Sequence, residues 1–243
     1  MINVLITVRS TSTRLPKKCF LPFGNMSVIE HIILRSKNYN LRPIVCTTTN
    51  KEDKDIIKIS KKHGVDWFIG SDINKLKRWR DCCDHFKIDS FHSVDADDPF
   101  FCGEEISRSH GLLIDGFDMV SPSPSSMNGG ATVGYSLTSE IITKACRNIE
   151  DNTDTEMMWG YMNKVENIKI AKLDDPINSI IDQRMTLDYQ EDYDKLKKVL
   201  ELVGHFATRH DIAKCLAANP YLKDINSSRN IEWKENQISK TIK

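Results

Sequence analysis

Four cations lie close together near the start of the chain, in the stretch ITVRSTSTRLPKKCF at residues 6–20. They are Arg9, Arg14, Lys17 and Lys18, and the first 29 residues contain no Asp or Glu to pair with them. Hydroxyl side chains lie among the cations, and hydroxyls, backbone N–H groups, Arg and Lys all donate to phosphate oxygens. The stretch lacks both GxxxxGK[ST] and GxGxxG, so it predicts a different phosphate-binding loop. A solvated basic turn is the alternative, and local charge alone favours it.

Acidic residues are concentrated far from this loop, in DADD at 95–98 and in DYQEDYD at 188–194. Asp95, Asp97 and Asp98 would repel one another unless a cation or hydrogen-bond donors compensate their charge. A Mg²⁺ ion between carboxylates and a polyphosphate would explain both the acids and the cations, because Mg²⁺ commonly takes one or two carboxylates plus water and phosphate ligands. The alternatives are a turn before Pro99 for DADD and an N-cap for Asp188.

The elements that would position these residues alternate between strand and helix. Short apolar runs at INVLITV, RPIVCTTTN, DWFIG and SFHSV predict strands, and helical periodicity follows the first three of them. This alternation predicts an α/β fold with a mostly parallel sheet and helices on both faces, in which ligands bind beyond the carboxyl ends of the strands. The cationic loop and DADD both follow strands directly, so we expect them at one edge of the sheet.

The second half of the chain is less regular. SPSPSSMNGGATVGYS, from residue 121, predicts a long loop or an inserted arm. A helix is expected near 138–149, strands at ENIKIAKL and RMTL, a helix at EDYDKLKKVLELV and an amphipathic stretch at RHDIAKCLAANPYL. A loosely ordered polar tail follows. We interpret residues 1–243 as one domain, with an arm at roughly 121–165 and a carboxyl-terminal helix and tail at roughly 208–243.

The composition excludes several classes of protein. The formal net charge is +0, so the broad basic field of a nucleic-acid-binding or membrane-surface protein is absent. No secretory signal or membrane-spanning stretch is recognisable. Seven cysteines occur without the paired spacing of a zinc site, which favours a reduced, cytoplasmic protein.

The order of motifs resembles the cytidylyltransferases that activate sugars, especially the type associated with spore coat polysaccharide biosynthesis, and more distantly the acylneuraminate and Kdo cytidylyltransferases. The family's signature loop, A-R-M-G-S-T-R-L-P-G-K, is similar to residues 8–18. LPFGNMSVIEHIILR, TTTNKEDKDI, FIGSD, DADDPFF and RMTLDYQEDYDKL continue the resemblance over nearly the whole chain. It implies a Rossmann-like nucleotide-diphospho-sugar transferase fold with an inserted dimerisation arm, and a homodimer.

The resemblance also implies roles for individual residues. Asp97 and Asp188 would be the Mg²⁺ ligands, and with Arg14 and Lys18 they would form the catalytic group. The division of labour between Asp95 and Asp97, and the number of metal ions, stay open. The residues expected to bind the nucleotide are Val8, Arg9, Ser10, Ser12, Arg14, Lys18, Thr47, Thr48, Gly70, Ser71 and Asp95.

The activity implied is Mg²⁺-dependent transfer of CMP from CTP to a sugar, sugar acid or similar acceptor, with release of pyrophosphate. Two departures from the signature loop are Thr11 and Lys17, each standing where the family has Gly, and Thr11 could alter nucleotide affinity or choice. The alternatives are a nucleotidyltransferase that uses another NTP or a phosphonate-type acceptor, a catalytically silent nucleotide-binding relative, and an assembly partner that uses the arm only to dimerise.

Overall fold

A seven-stranded sheet forms the centre of the molecule, in a computed structural model that describes residues 1–176, 183–233 and 235. The described strands are β1 Asn3–Thr7, β2 Pro22–Phe23, β3 Met26–Ser27, β4 Arg42–Thr48, β5 Asp66–Gly70, β6 Ser90–Asp95, β7 Met119–Ser121, β8 Ser136–Thr138 and β9 Ile170–Lys172. The order in the main sheet is β5-β4-β1-β6-β8-β7-β9, and β2 and β3 form a small hairpin of their own. Within this sheet only β8 runs antiparallel to its neighbours.

Helices cover both faces of the sheet. The described helices are α1 Val28–Asn38, α2 Lys54–Lys62, α3 Lys75–Phe86, α4 Gly103–Ile114, α5 Ser139–Cys146, α6 Trp159–Met162, α7 Gln190–Val203, α8 Arg209–Ala218 and α9 Tyr221–Asp224. Side chains alternate across β1, so Val4 and Ile6 join one buried cluster while Leu5 joins the other. The first cluster takes residues from α1, α4, α7 and α8, and the second from α3, α5 and α6. The predicted α/β fold with a mostly parallel sheet is therefore confirmed.

The amino-terminal elements follow the sequence signals. Ser27 begins α1 with a capping box, because its side chain accepts the Glu30 N–H while the Glu30 carboxylate accepts the Ser27 N–H. Gly64, with φ +59°, follows α2 in the left-handed conformation expected after a helix end. The capping box at Ser27 thus marks the start of α1, which connects β1 to β4, and Gly64 marks the end of α2, which connects β4 to β5.

Residues 121–165, which the sequence analysis interprets as an arm, contribute both to the central sheet and to the buried core. Strand β8 lies between β6 and β7, and Leu137, Ile141, Ile142 and Met162 are almost completely buried. The Ser- and Gly-rich segment before β8 includes one π-helical turn, Ser126–Gly130. The three-residue strand was missed because it follows turn-forming residues and is too short to show a period of its own.

The expected strand at RMTL is wrong. Residues 184–187 belong to no strand: the Met185 N–H donates to the Gly129 carbonyl and the Leu187 N–H to the Asp97 carbonyl. The last residues of the expected polar tail, 236–243, lie outside the described residues. In the described part of the chain, no helix combines the length and the apolar character that spanning a bilayer requires.

Candidate active site

The loop after β1 and the segment before α7 meet at the carboxyl edge of the sheet. Lys18 Nζ lies 2.8 Å from Asp97 Oδ2, 3.0 Å from Asp188 Oδ1 and 2.7 Å from the Leu187 carbonyl oxygen. Arg14 Nη2 lies 2.6 Å from the same Asp188 oxygen. The structure thus brings together Arg14, Lys18, Asp97 and Asp188, which are far apart in sequence.

The charges in this group stabilise one another. Burial opposes ionisation of Asp188, but Lys18 and Arg14 hold the pKa of its carboxyl below the usual range. Burial likewise opposes the charge on Lys18, yet Asp97 and Asp188 raise the pKa of its ammonium. Both groups are therefore ionised at neutral pH, and the Lys18 ammonium lies in a cage of three oxygen atoms.

Three carboxylates follow β6 at the same edge. Oxygen atoms of Asp95, Asp97 and Asp98 all lie within 4.8 Å of one another. Burial, then the neighbouring Asp97 and Asp95, raises the pKa of Asp98 well above its usual value. Lys75, from the start of α3, places its ammonium 2.8 Å from Asp95 Oδ1. Lys75 thus pairs with Asp95, and Lys18 pairs with Asp97.

Asp53 fixes the first part of the cationic loop and was missed by the sequence analysis. Its buried carboxylate accepts hydrogen bonds from the N–H and hydroxyl of Ser10, the hydroxyl of Thr47, and the N–H and hydroxyl of Thr48. These bonds join the loop to the end of β4. Because the three hydroxyls donate their protons to Asp53, these protons are not available to a phosphate oxygen.

The other predicted nucleotide-binding residues lie along the same edge but do not contact the central group. The Val8 N–H continues the sheet by donating to the Cys46 carbonyl, and Ser12 Oγ accepts the Leu15 N–H at 3.5 Å. Arg9 Nη2 lies 3.5 Å from Glu156 Oε2, and both side chains are partly exposed.

Gly70 and Ser71 lie at the end of β5, where Gly70 is the register partner of Thr48. A Cβ atom at Gly70 would lie 2.7 Å from Cγ of Arg78, so a side chain at this position would have to displace the buried Arg78. Arg78 Nη1 donates to the Ser71 carbonyl at 2.6 Å. The edge beside β4 and β5 is therefore lined by backbone and small residues.

The N-cap interpretation of Asp188 is wrong. Helix α7 is capped at Tyr189, whose N–H donates to Asp192 Oδ2, and the Asp188 N–H donates to the same oxygen. The Asp188 side chain instead faces Lys18, Arg14 and Arg184. Capping therefore explains Asp192 and leaves Asp188 available for another role.

Taken together, the edge offers cationic donors, ionised carboxylates and a stretch of small residues beyond parallel strands. Guanidinium and ammonium groups donate to phosphate oxygens, and carboxylates are the usual ligands of a hard divalent cation. Groups of these kinds are the ones that transfer of a phosphoryl or nucleotidyl group uses, and such a reaction requires no protein nucleophile.

Known proteins share this architecture. The family model described as "Cytidylyltransferase" matches residues 3–113. A cytidylyltransferase from Leptospira borgpetersenii superposes with a TM-score of 0.80 at 21% identity, covering 91% of this chain and 95% of the other. A CMP:2-keto-3-deoxy-manno-octonic acid synthetase solved with CTP gives a TM-score of 0.63 at 12% identity, with coverages of 83% and 99%. An uncharacterized protein of Methanocaldococcus jannaschii is 29% identical over 238 residues, 92% of this chain and 93% of that protein.

The family match and the shared fold support a nucleotidyltransferase. The match to the cytidylyltransferase model covers residues 3–113, less than half of the chain, and over that segment it confirms the resemblance seen in the motifs. The matched segment runs from β1 almost to the end of α4, so it contains the cationic loop and DADD, whereas Asp188 lies beyond it.

Proposed function

We propose that the protein is a Mg²⁺-dependent cytidylyltransferase that couples CTP to a sugar or sugar acid, giving a CMP-activated product and pyrophosphate. The observation that carries this proposal is the contact of Lys18 and Arg14 with Asp97 and Asp188 at the carboxyl edge of the sheet. In a cytidylyltransferase this edge is where a triphosphate and its cation are expected.

The residues present fit a divalent cation. The cage around the Lys18 ammonium consists of two carboxylate oxygens and one carbonyl oxygen, which are the donor atoms that Mg²⁺ prefers. Asp97 and Asp188 would hold the ion, and Asp95 would add negative charge beside it. When bound, the ion would neutralise phosphate charge and polarise the α-phosphate.

The chain's own cations would then bind the triphosphate. Lys18 and Arg14 need new anionic partners when a cation takes their place on the carboxylates, and the phosphates of CTP supply them. Arg9 and Ser12 would extend the phosphate site. Val8, Ser10, Thr47, Thr48, Gly70 and Ser71 would shape the nucleoside edge, and Asp95 would act through its charge.

The reaction needs no covalent intermediate on the protein. The acceptor hydroxyl oxygen attacks the α-phosphorus and forms the new P–O bond, while the bond to the oxygen bridging the α- and β-phosphates breaks. Pyrophosphate leaves with that oxygen, and the hydroxyl proton passes to solvent. The contribution of Lys18 and Arg14 is to align the phosphates and to stabilise the charge that develops on the leaving group.

The proposal also covers the oligomeric state of the protein and its location in the cell. We infer a homodimer that uses exposed parts of residues 121–165, and a cytoplasmic location consistent with seven free cysteines, six of them buried.

The test measures pyrophosphate release with each of the four NTPs, Mg²⁺ and a panel of sugars, sugar acids and phosphonates. The proposal expects release with CTP and at least one acceptor, and its loss in Asp97→Asn and Asp188→Asn while circular dichroism is unchanged. Greater release with UTP or GTP would support the other-nucleotide alternative, and CTP–Mg²⁺ binding without release would support the silent relative. Full activity in both variants would overturn the metal assignment.

A further inference from the structure

A buried guanidinium lies behind Asp188, on the side away from the cationic loop. Arg184 is almost completely buried, and its Nη2 lies 3.1 Å from Asp188 Oδ2. Arg14 and Lys18 contact the other oxygen, Oδ1. The two oxygens of Asp188 are therefore held separately, Oδ2 by the protein interior and Oδ1 by the site.

Arg184 also fixes the backbone of Asp188 through Asp192. Its Nε and Nη2 donate to the two oxygens of Asp192 at 2.8 and 2.9 Å. Asp192 Oδ2 in turn accepts the N–H groups of Asp188 and Tyr189, at 2.9 and 3.0 Å. One guanidinium thus determines both where the Asp188 main chain lies and which way its carboxylate faces.

Packing leaves the Arg184 side chain little freedom to move. Its Cζ lies 5.4 Å from the ring centroid of Tyr189 and 5.3 Å from that of Trp233. Asn226 completes the arrangement by donating to Asp192 Oδ1 at 2.8 Å and to the Arg184 carbonyl at 3.1 Å. Such a network holds its members in one geometry only when nearly all of its hydrogen bonds are made.

Stability alone does not account for this arrangement. Buried ion pairs are often no more stabilising than apolar side chains of the same volume, because desolvation offsets the attraction between charges. Arg184 Nη1, moreover, is buried without a hydrogen-bond partner among the described residues, which is unfavourable. A network of this kind is typical of a site where the orientation of a functional group matters.

We propose that Arg184 is a positioning residue for nucleotidyl transfer: it holds Asp188 Oδ2 and the Asp188 backbone so that Oδ1 faces Arg14 and Lys18 of the cationic loop. The proposal rests on the function proposed above and names a residue that acts through Asp188 without touching the substrate. Partners that orient a liganding carboxylate typically change affinity or activity about 10- to 100-fold when removed.

The test is a double-mutant cycle with Arg184→Met, Asp188→Asn and the double variant. Two quantities are measured: kcat and KM for pyrophosphate release, and the Kd for Mn²⁺–CTP from the electron paramagnetic resonance of Mn²⁺. Arg184→Met is expected to lower kcat and weaken Mn²⁺–CTP binding about 10- to 100-fold. In the Asp188→Asn background the same substitution is expected to change the Kd less than about 2-fold, since the residue it positions is already impaired.

Arg35 provides a matched control. Its guanidinium is equally buried and donates to the carbonyl oxygens of Phe101, His205 and Ala207, and it makes no described contact with Asp188 or with the residues that hold Asp188. Arg35→Met is expected to alter the melting temperature while kcat and the Kd for Mn²⁺–CTP stay within about 2-fold of wild type. If Arg184→Met does not fold, Arg184→Lys keeps the cation without the forked contact and is expected to recover stability but not kcat.

Three outcomes overturn the proposal. One is equal loss of Mn²⁺–CTP affinity from Arg184→Met in the wild-type and Asp188→Asn backgrounds, which would mean that Arg184 acts independently of Asp188. Another is full kcat in Arg184→Lys. The third is a wild-type chain that neither binds Mn²⁺–CTP nor releases pyrophosphate, which overturns the proposed function as well. Binding without release would refute only the transfer function, because the cycle measured on binding still reports the coupling of Arg184 to Asp188.

Discussion

Replacing Lys18 with Met tests the central contact of the site. Lys18→Met keeps most of the side-chain volume but removes an ammonium that lies between two carboxylates and a carbonyl oxygen. Removing one partner of a buried ion pair costs about 3–5 kcal/mol. Asp97 is about a quarter exposed and Asp188 keeps Arg14 and Arg184, so we expect a value near the lower end, about 3 kcal/mol.

That loss corresponds to a melting temperature about 6–12 °C lower for a chain of this size. Catalysis should suffer separately, because losing a donor aimed at developing phosphate charge costs about 3 kcal/mol in the transition state, roughly 150-fold in kcat. Calorimetry and pyrophosphate release measure the two effects. Lys17→Met, at the exposed neighbouring lysine, is the control and should change neither substantially.

Added Mg²⁺ distinguishes this account from simple damage to the fold. In Lys18→Met the oxygen cage has lost its cation, so millimolar Mg²⁺ should raise the melting temperature of the variant more than that of wild type. An unchanged melting temperature together with unchanged release in Lys18→Met would refute the reasoning.

Three further predictions concern the fold around the site. Lys17 has φ +56°, which is unfavourable for an L-residue, so Lys17→Gly should raise the free energy of unfolding by about 0.5–1 kcal/mol in urea titrations; a loss of stability would contradict this. Burial lowers the pKa of His31 and of His92 to about 3. Between about pH 6.5 and pH 3 the unfolded chain therefore binds two more protons than the folded chain. The contribution of these two histidines to the free energy of unfolding is therefore fully present above about pH 6.5 and should fall by about 2.7 kcal/mol per pH unit between roughly pH 6 and 3. A urea midpoint that does not change between pH 7.5 and 5 would disprove this prediction. A Cβ at Gly134 would lie 2.1 Å from the carbonyl oxygen of Ser93, so Gly134→Ala should cost about 3 kcal/mol or more, and an unaltered melting temperature would count against the packing described.

The first half of the fold was readable from sequence because local signals and tertiary structure agree there. The run at β1 is apolar and β-branched, Ser27 and Glu30 mark the start of α1, and Gly64 marks the end after α2. Each signal is short-range, so one sequence suffices to see it.

The second half depends on long-range pairing and was predicted less well. Residues 184–187 have the apolar character of a strand, yet their N–H groups bond the Gly129 and Asp97 carbonyls, so no ladder forms. Strand β8 is only three residues long and gains its place by lying between β6 and β7. Such partners cannot be inferred from periodicity alone.

The residues of the candidate site also differ in how well they could be predicted from the sequence. The signature loop and DADD could be singled out because unpaired charges directly after strands are visible in sequence, whereas Asp188 was singled out by the family resemblance. Asp53 and Arg184 could not be singled out, because Asp53 lies in an ordinary charged stretch and acts through the distant Ser10, and Arg184 acts through partners that are buried behind the site. A hydroxyl expected to donate to phosphate, that of Ser10, proved to be bonded to Asp53.

The most direct test of the account is the anomalous diffraction of Mn²⁺ in crystals grown with Mn²⁺ and CTP. We predict a Mn²⁺ peak within about 2.3 Å of carboxylate oxygens of both Asp97 and Asp188, with the triphosphate against Arg14 and Lys18. A nucleotide bound elsewhere, or Lys18 still bonded to both aspartates while CTP and metal occupy another edge of the sheet, would contradict the claim that these four residues form one nucleotide–metal site.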